Sequence, residues 1–391
     1  GEIIVYLKDK LKSPEGAYYA AEDADSDGEE GKFYVWTYDE LEQLLGSDQL
    51  EAFADAFKIS KTGNFRDEAT REQSINNIFH LSSTQDYAST INNPGWVKAR
   101  EKIYTLREDR IHPGLDNKIL CDWNGLLLSA LSRAALATGD DDYAGLAGLL
   151  ADFILTDLVD SKGQLLHMPE QGGNTIQGFL DDYSFVIQGL RMYYEVAFEP
   201  KYLQAALDFQ EIQIQQFWDM DQAAFFFTAE GGEELFIRQK EIYDGAIPSG
   251  NSVAASNLYY LGRLAEKPEW ESMAVAIGSA FSDQVKRAPQ GFSALMQSVQ
   301  VQIAGSREIV IAGNTGDLQT AMGIIRAKYD PFRLILHRPI ENSQEIESMA
   351  GFLAYQKAID DKLTVYICEN YACQTPHTNL ESLSESYRDD H

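Results

Sequence analysis

The sequence has few of the features that mark a secreted or membrane-bound protein. It has three cysteines, Cys121, Cys368 and Cys373, which is an odd number and too few for a disulfide framework. No run approaches the roughly 20 apolar residues of a membrane helix, and the first residues show neither a basic segment nor a cleavage signature. We therefore expect a cytoplasmic protein in a reducing compartment, with no membrane partner.

Basic residues are also scarce. Lys and Arg number 32 against 61 Asp and Glu, which gives a net charge of −29. Such a charge repels phosphate backbones, so we expect no nucleic-acid partner. The excess of acidic residues can also be explained by solubility alone, and this interpretation stays open.

Metal-binding and thiol motifs are missing as well. The six histidines include no pair at helical i, i+4 spacing and no H-E-x-x-H, so the sequence predicts no metal and no cofactor. Cys368 and Cys373 form a C-x₄-C rather than a C-x-x-C, and we expect them to be a reduced or occasionally bridged pair at a strand end.

What the sequence does contain is a large apolar fraction arranged in repeats. Residues are 44% hydrophobic, enough for a sizeable core, and three similar segments begin near residues 122, 182 and 251. Each has a polar cap, an Ala- and Leu-rich helix, a short Asp, Pro or Glu turn, and a return helix. A period of roughly 60 to 70 residues favours the long helical hairpins of an (α/α) toroid over a thin solenoid.

The last hundred residues change character. Strands at 307–313, 332–336 and 363–368 alternate with helices at 317–328 and 345–356, which predicts a small parallel sheet. We therefore predict a mainly α protein with a toroid domain at 1–305 and a small α/β element at 306–391. The toroid domain is expected to include short β-ribbons at 163–167 and 223–228. Residues 3–11 read as the end of a helix without a start, so we expect a chain cut from something longer.

Polar residues recur at the entry of each hairpin. Asp122 with Asn124, Asp181 with Asp182, and Asn251 would meet at one mouth if the repeats close into a ring. Carboxylates around an aromatic throat are what a sugar-binding or glycoside-processing site needs. The alternative is that these residues are ordinary helix caps, an interpretation that suits Asp182 better than Asp122.

The densest acidic run lies at residues 22–30. Asp23, Asp25 and Asp27 match the first ligand positions of an EF-hand, but Tyr34 stands where the loop needs its bidentate Glu. The run is therefore not an EF-hand. A non-helical calcium loop stays open, and the other interpretation directs Glu22 and Asp23 into the pocket.

Several motifs together resemble the YyaL family, the relatives of spermatogenesis-associated protein 20. The resemblance covers residues 3 to 376 in order, on the stretches YYAAEDADS (18–26), EGKFYVWT (30–37), KILCDWNG (118–125), LDDY (180–183), DGAIPSGNS (244–252) and CENYACQ (368–374).

This resemblance implies an N-terminal thioredoxin-like domain followed by a six-hairpin toroid of the kind shared with N-acylglucosamine 2-epimerases and several glycosidases. The chain would lack the thioredoxin-like domain and the first toroid helices, which leaves the ring incomplete. Epimerases of this fold are expected to use His, and the sequence places no His near the three hairpin mouths. Carboxylate chemistry, as in unsaturated-glucuronyl hydrolases, fits the residues better.

The leading hypothesis is a carbohydrate-binding or carbohydrate-processing toroid that takes a small sugar. Asp23, Asp122 and Asp181 would be the acid, base and orienting carboxylates in unassigned order. The predicted substrate-binding residues are the stacking rings Trp36, Trp123 and Tyr183, the hydroxyl-binding Asn124 and Asn251, and the acidic Glu22, Asp182 and Asp244. The alternative is a non-catalytic module that presents a client protein to the thioredoxin-like domain of the full-length protein.

Overall fold

A computed structural model describes residues 1–66, 71–81, 89, 91–170, 175–231, 237–314, 316 and 318–389. By its contacts the chain separates into two compact units, one formed by residues 20–117 and the other by residues 1–19 with 118–391. The division at 305 and 306 predicted from the sequence stays a prediction.

The described residues form the following elements. The helices are α1 (Glu2–Tyr6), α2 (Tyr38–Leu45), α3 (Ser47–Phe57), α4 (Pro94–Glu108), α5 (Cys121–Thr138), α6 (Asp141–Asp157), α7 (Leu180–Ala197), α8 (Pro200–Phe217), α9 (Gly250–Leu264), α10 (Pro268–Ala280), α11 (Ser282–Arg287), α12 (Ser293–Ala304), α13 (Leu318–Ala327), α14 (Gln344–Met349) and α15 (Leu380–Asp389). The strands are β1 (Ala21–Glu22), β2 (Asp25–Ser26), β3 (Glu29–Glu30), β4 (Trp36–Thr37), β5 (Asn76–Asn77), β6 (Leu115–Asp116), β7 (Arg307–Ala312), β8 (Arg333–Arg338), β9 (Thr364–Glu369) and β10 (Ala372–Cys373).

The unit of residues 20–117 packs α2, α3 and α4 around a small aromatic core. Its short strands pair two by two, β1 with β6, β2 with β3 and β4 with β5. The start of α2 is fixed by a capping box, in which Thr37 and Glu40 each satisfy the other's backbone amide. Trp36 and Phe53 lie in the core of this unit.

The larger unit is built of helical hairpins, as predicted. The pairs α5 and α6, α7 and α8, and α9 and α10 are three consecutive hairpins, and their first helices form a continuous row, with α5 against α7 and α7 against α9. Each return helix packs against the first helix of its own hairpin. This arrangement, with the C-terminal sheet, confirms the predicted fold class: mainly α, toroid-like hairpins with a small α/β element.

The hairpin turns follow from simple backbone chemistry. Gly139 and Phe198 end α5 and α7 in the left-handed conformation, which stops each helix and reverses the chain. Pro200 and Pro268 stand at the first turn of the return helices, where a missing amide hydrogen costs nothing. The short Pro- and Asp-rich turns seen in the sequence are therefore the hairpin corners.

Two glycines let the first helices approach closely. A Cβ at Gly125 of α5 would lie 2.8 Å from the backbone of Phe185, and a Cβ at Gly189 of α7 would lie 2.9 Å from the carbonyl oxygen of Gly125. Any side chain at these positions would push the two helices apart. The close approach brings the starts of α5 and α7 together.

The C-terminal sheet is mixed, not parallel, which corrects the sequence prediction. Its strand order is β10-β9-β7-β8; β7 runs parallel to β8 but antiparallel to β9. The helix α13 supplies the crossover that a parallel pair needs. The connection from β8 to β9 contains only the short α14 and a 3₁₀ turn at Gly351–Tyr355, and it returns the chain on the other side of β7 in the opposite direction.

Smaller predictions also have an outcome. The runs at 163–167 and 223–228 form isolated bridges, such as Val159 with Leu165 and Trp218 with Phe225, in place of regular ribbons. Cys368 and Cys373 lie opposite each other at the end of the sheet and are joined by a disulfide. Within the described part of the chain, the helices are all too short or too polar to cross a membrane.

A buried ion pair fastens this sheet to the hairpins. The guanidinium of Arg263 in α9 donates to both carboxylate oxygens of Glu308 in β7, at 3.2 and 3.1 Å, and both side chains are buried. Removing one partner of such a pair leaves the other charge buried without compensation.

We expect Arg263→Met to lower the free energy of unfolding by roughly 3 to 5 kcal/mol. The matched control is Lys267→Met, whose ion pair with Glu211 is at the surface and should contribute under about 1 kcal/mol. Urea denaturation of both variants is the measurement. Equal losses would show that the Arg263 pair does not hold the sheet in place.

Candidate functional site

Three helix starts meet at one place in the larger unit. Asp122 lies in the first turn of α5, and Asp181 and Asp182 lie in the first turn of α7. One oxygen of Asp122, one of Asp182 and a ring nitrogen of His167 all lie within 4.8 Å of one another. The convergence of hairpin entries predicted from the sequence is therefore present for α5 and α7.

The start of α9 joins them through Asp181. The backbone amide of Gly250, the first residue of α9, donates to the Asp181 carboxylate. A Cβ at Gly250 would lie only 2.3 Å from Asp181 Oδ1, so this contact requires glycine. The carboxylate of Asp181 thus reaches across from α7 to the neighbouring inner helix.

A histidine lies in this cluster, contrary to the sequence analysis. His167 Nδ1 is 3.1 Å from both carboxylate oxygens of Asp182. The prediction that no His lies near the hairpin mouths is wrong, because His167 belongs to the connection between α6 and α7 and folds back onto α7. Sequence spacing showed no signal for it beyond a short strand-like run.

Burial and mutual repulsion raise the pKa values of two carboxyls. Burial, and then the charges of Asp122, Asp182 and Glu241, raise the pKa of Asp181 to about 7. Burial and the charge of Asp182 raise the pKa of Asp122 to about 6, against the opposing hydrogen bond from the Trp123 amide. Both carboxyls therefore keep their protons to a higher pH than an exposed aspartate does.

Asp182 has a different role. It is almost fully buried, its Oδ2 accepts the Phe179 amide at 2.7 Å, and it pairs with His167, whose pKa it raises. The bond to Phe179 ties the carboxylate to the start of its own helix, as expected of a cap. Asp182 is thus a cap and a histidine partner at once.

The aromatic residues differ from the predicted set. Tyr183 is buried, and its hydroxyl accepts the Leu165 amide, so it is a core residue; Trp123 is 44% exposed. Beside His167, the half-buried rings of Phe179 and Phe227 stack at 5.2 Å between centroids and 9° between planes. Sequence reasoning missed this pair, although the three consecutive Phe at 225–227 were visible.

Three other residues that were predicted to bind substrate form hydrogen bonds to the protein backbone. Asn124 bonds to both backbone groups of Tyr18, and Asn251 bonds in the same way to Phe225, which leaves little of either amide for a sugar hydroxyl. Asp244 accepts the amides of Ser249, Ala294 and Leu295. These residues shape the loops around the site.

The remaining predicted residues belong to the unit of residues 20–117. Asp23 accepts the amide of Asp25, and Glu22 lies in β1. Trp36 is buried beneath the guanidinium of Arg110, 3.8 Å from its ring centre. In the acidic run, Asp27 and Glu29 both pair with Lys32.

An open groove also adjoins the acidic residues. Glu241, whose charge acts on Asp181, is one of the residues around a groove of about 480 Å³. Two cations, Arg238 and Lys240, lie over the ring of Phe226 in the same groove. Its other lining residues are Gln222, Ile237 and Gln239.

The side chains of Asp122, His167 and Asp182 could also hold a metal ion. However, the starts of α5 and α7 both point their positive ends at the same place, which opposes a cation. The predicted absence of a metal stays a prediction.

Gly250→Ala should displace the Asp181 carboxylate. The added Cβ cannot coexist with Oδ1 at 2.3 Å, so we expect a loss of about 1 to 3 kcal/mol in the free energy of unfolding. Gly145→Ala in α6 is the control, because a Cβ there meets nothing within 4 Å and removes a helix glycine, which should stabilise by up to about 1 kcal/mol. If chemical denaturation shows that both variants are more stable than the wild type, the contact between Asp181 and Gly250 is not rigid.

The raised pKa of Asp181 predicts a pH dependence of stability. Between its ordinary value of 3.8 and about 7, the folded chain keeps a proton that the unfolded chain releases, so this group makes the free energy of unfolding fall as pH rises. Asp181→Asn removes this dependence. Between about pH 5 and pH 8, we expect the free energy of unfolding to fall by about 1 to 3 kcal/mol less in Asp181→Asn than in the wild type. Asp122→Asn should act in the same direction with a smaller effect. Parallel curves for Asp181→Asn and the wild type would contradict the raised pKa.

Comparisons with known proteins place the chain in context. No protein-family model matches it. It is 30% identical to spermatogenesis-associated protein 20 of Homo sapiens and 31% identical to that of Rattus norvegicus, in alignments that are 417 residues long. Each alignment covers 96% of this chain and 52% of the relative. The chain thus spans about half the length of these relatives.

Solved structures with partial likeness include an α-mannanase of Bacteroides thetaiotaomicron, at 14% identity and a TM-score of 0.38, covering 64% of this chain and 71% of that one. A sugar epimerase from a ruminal bacterium is 13% identical, with a TM-score of 0.36 over 72% of this chain and 71% of that one. The curated relatives confirm the family predicted from the motifs: over nearly its whole length, the chain is a relative of spermatogenesis-associated protein 20.

Proposed function

We propose that the place where α5, α7 and α9 begin binds a small sugar and performs acid–base chemistry on it. The observation that supports this most directly is the convergence of ionisable side chains at the helix starts. Asp122, His167 and Asp182 have ligand atoms within 4.8 Å of one another, and burial raises the pKa of Asp122 to about 6 and that of Asp181 to about 7. Two carboxyls in different protonation states at the same pH are what the cleavage or rearrangement of a sugar requires.

The pKa values suggest a role for each carboxyl. Asp181 keeps its proton in a larger share of molecules at neutral pH and is the proton donor in our proposal. Asp122, ionised in most molecules at pH 7, is the acceptor or the charge that stabilises a developing cation. Activity should then be highest between about pH 6 and pH 7, where Asp122 has lost its proton and Asp181 still holds one.

The surroundings favour a neutral ligand. After burial, the charges of the carboxylates Asp122, Asp182 and Glu241 raise the pKa of Asp181, and these charges repel an anionic sugar. The exposed ring of Trp123 and the half-buried rings of Phe179 and Phe227 offer apolar faces on which a sugar ring can stack. We therefore expect neutral sugars to bind better than uronic acids.

Asp23 lies in the unit of residues 20–117, and the proposal is confined to residues of the larger unit. The rival function, a non-catalytic module that works with a thioredoxin-like domain, finds support in Asp182, whose bond to Phe179 is that of a structural cap. The two functions differ in whether a sugar stabilises the folded chain.

Thermal unfolding with a sugar panel is the test. We expect at least one of glucose, mannose, N-acetylglucosamine or cellobiose to raise the melting temperature by about 1 to 4 °C, and glucuronate to raise it less, because a ligand that binds only the folded state stabilises it. Asp122→Asn and Asp181→Asn should change the shift, whereas Asp152→Asn, at an exposed position of α6, should not. No shift with any sugar, for a chain shown to be folded, would favour the module.

A further inference from the structure

The disulfide between Cys368 and Cys373 lies at an open edge of the C-terminal sheet. The strand order β10-β9-β7-β8 makes β10 an edge strand, and both of its residues, Ala372 and Cys373, are exposed. Cys368 lies opposite Cys373 in β9 and is 5% exposed. One half of the disulfide is therefore open to solvent, and the other half is closed off from it.

This disulfide joins residues that are already neighbours. The two cysteines are five positions apart in the sequence, and the pairing of β9 with β10 holds them opposite each other. The entropy that a crosslink removes from the unfolded chain grows with the length of the closed loop, so a loop this short is among those that gain least. The bridge is therefore poorly placed to act as a staple of the fold.

The turn between the cysteines is held by contacts other than the disulfide. Asn370 and Tyr371 adopt the left-handed conformation of a tight hairpin turn. The Tyr371 hydroxyl donates to a carboxylate oxygen of Glu271 in α10 at 2.5 Å, and the Arg263 guanidinium lies over the Tyr371 ring, 3.7 Å from its centre. We therefore expect the turn to stay in place when the S–S bond opens.

A buried glutamine faces both sulfurs. Gln356 is 7% exposed, and its Nε2 donates to Cys368 Sγ at 3.2 Å and to Cys373 Sγ at 3.1 Å. A hydrogen-bond donor favours the charged form of its acceptor, so this amide stabilises a thiolate that is released beside it. The amide therefore eases the opening of the S–S bond.

The other polar atom of the same amide has no partner. Gln356 Oε1 is buried and makes no hydrogen bond within the described part of the chain. A buried acceptor without a donor is unfavourable, and a disulfide has no hydrogen to offer it. A thiol carries an S–H, so reduction supplies a donor beside this amide. The surroundings of the pair thus suit the dithiol as well as the disulfide.

We propose that Cys368 and Cys373 form a redox-active pair that a dithiol reduces reversibly, and that Cys373 is the sulfur that the dithiol attacks. The inference is independent of the proposed function, because the residues that carry it take no part in the sugar site.

The exchange balances in atoms and electrons. One thiolate of the dithiol attacks Cys373 Sγ, the S–S bond breaks, and its electron pair leaves on Cys368 Sγ beside the Gln356 amide. The second thiolate then attacks the sulfur of the same dithiol in the mixed disulfide and releases Cys373. The dithiol becomes a disulfide, and its two electrons and two protons end on the two cysteines.

Reduction of the folded chain tests the proposal. The chain is equilibrated with reduced and oxidised dithiothreitol in varied ratio, quenched with acid, denatured and alkylated, and the peptide that contains both cysteines is measured by mass spectrometry. We expect a reversible change between disulfide and dithiol while circular dichroism shows a folded chain. Alkylation without denaturant should leave the buried Cys121 unmodified. A disulfide that opens only when urea unfolds the chain, a chain that unfolds on reduction, or a pair that never bridges would each overturn the proposal.

The attacked sulfur is identified from a mixed disulfide of the wild-type chain. The probe is 2-mercaptoethanol, a neutral monothiol that cannot resolve the adduct by closing a ring. After an acid quench, we expect the adduct on Cys373 to exceed that on Cys368 by about 10 to 1 or more, because Cys368 is buried. Equal amounts, or an excess on Cys368, would show that Cys373 is not the point of attack.

The glutamine is tested by its rate effect. Gln356→Leu removes the donor that stabilises the leaving thiolate, so we expect dithiothreitol to reduce the folded variant about 10-fold more slowly than the wild type. Gln344→Leu, at an exposed position of α14, is the matched control and should keep the wild-type rate. If the two variants are reduced equally fast, Gln356 has no role in the exchange.

Discussion

The site depends on how closely the first helices of the hairpins approach one another. Gly125 and Gly189 allow α5 and α7 to meet with backbone against backbone, and Gly250 allows α9 to receive a carboxylate from α7. Burial is the largest cause of the raised pKa values of Asp122 and Asp181, and this burial comes from the packing of the helices.

The same packing sets two electrostatic effects against each other. A helix start stabilises a carboxylate through its free amides, which is the ordinary reason for Asp at these positions. Burial and neighbouring carboxylates have the opposite effect, and for Asp122 and Asp181 they prevail. The capping interpretation of these residues therefore does not exclude the functional one. Asp182 shows this, because it caps its own helix and also pairs with His167.

The sequence predicted the hairpins well because their signals are local. Three signals lie within a few positions of the elements that they define: apolar periodicity, Pro at the start of a return helix, and a left-handed residue at each corner. Asp122 and Asp181 could be found because acidic residues recur at the helix entries. His167 and Phe179 could not, because they join the site through contacts between the α6–α7 connection and α7. Tyr183 shows the opposite error: its place beside Asp182 suggested a stacking ring, yet the helical turn directs it into the core. The orientation of β9 was likewise beyond local signals, because it depends on the path of the chain after β8.

The adjacent pair of Asp181 and Asp182 shows how one short motif serves two tasks. Successive residues of an α-helix point about 100° apart, so these two neighbouring side chains leave the helix in different directions. Asp182 turns toward the start of its own helix and His167, whereas Asp181 turns toward α9. One carboxylate thereby fixes a histidine, and burial raises the pKa of the other. The close approach of Gly125 and Gly189 holds α7 against α5 in the position from which the two carboxyls take these different directions.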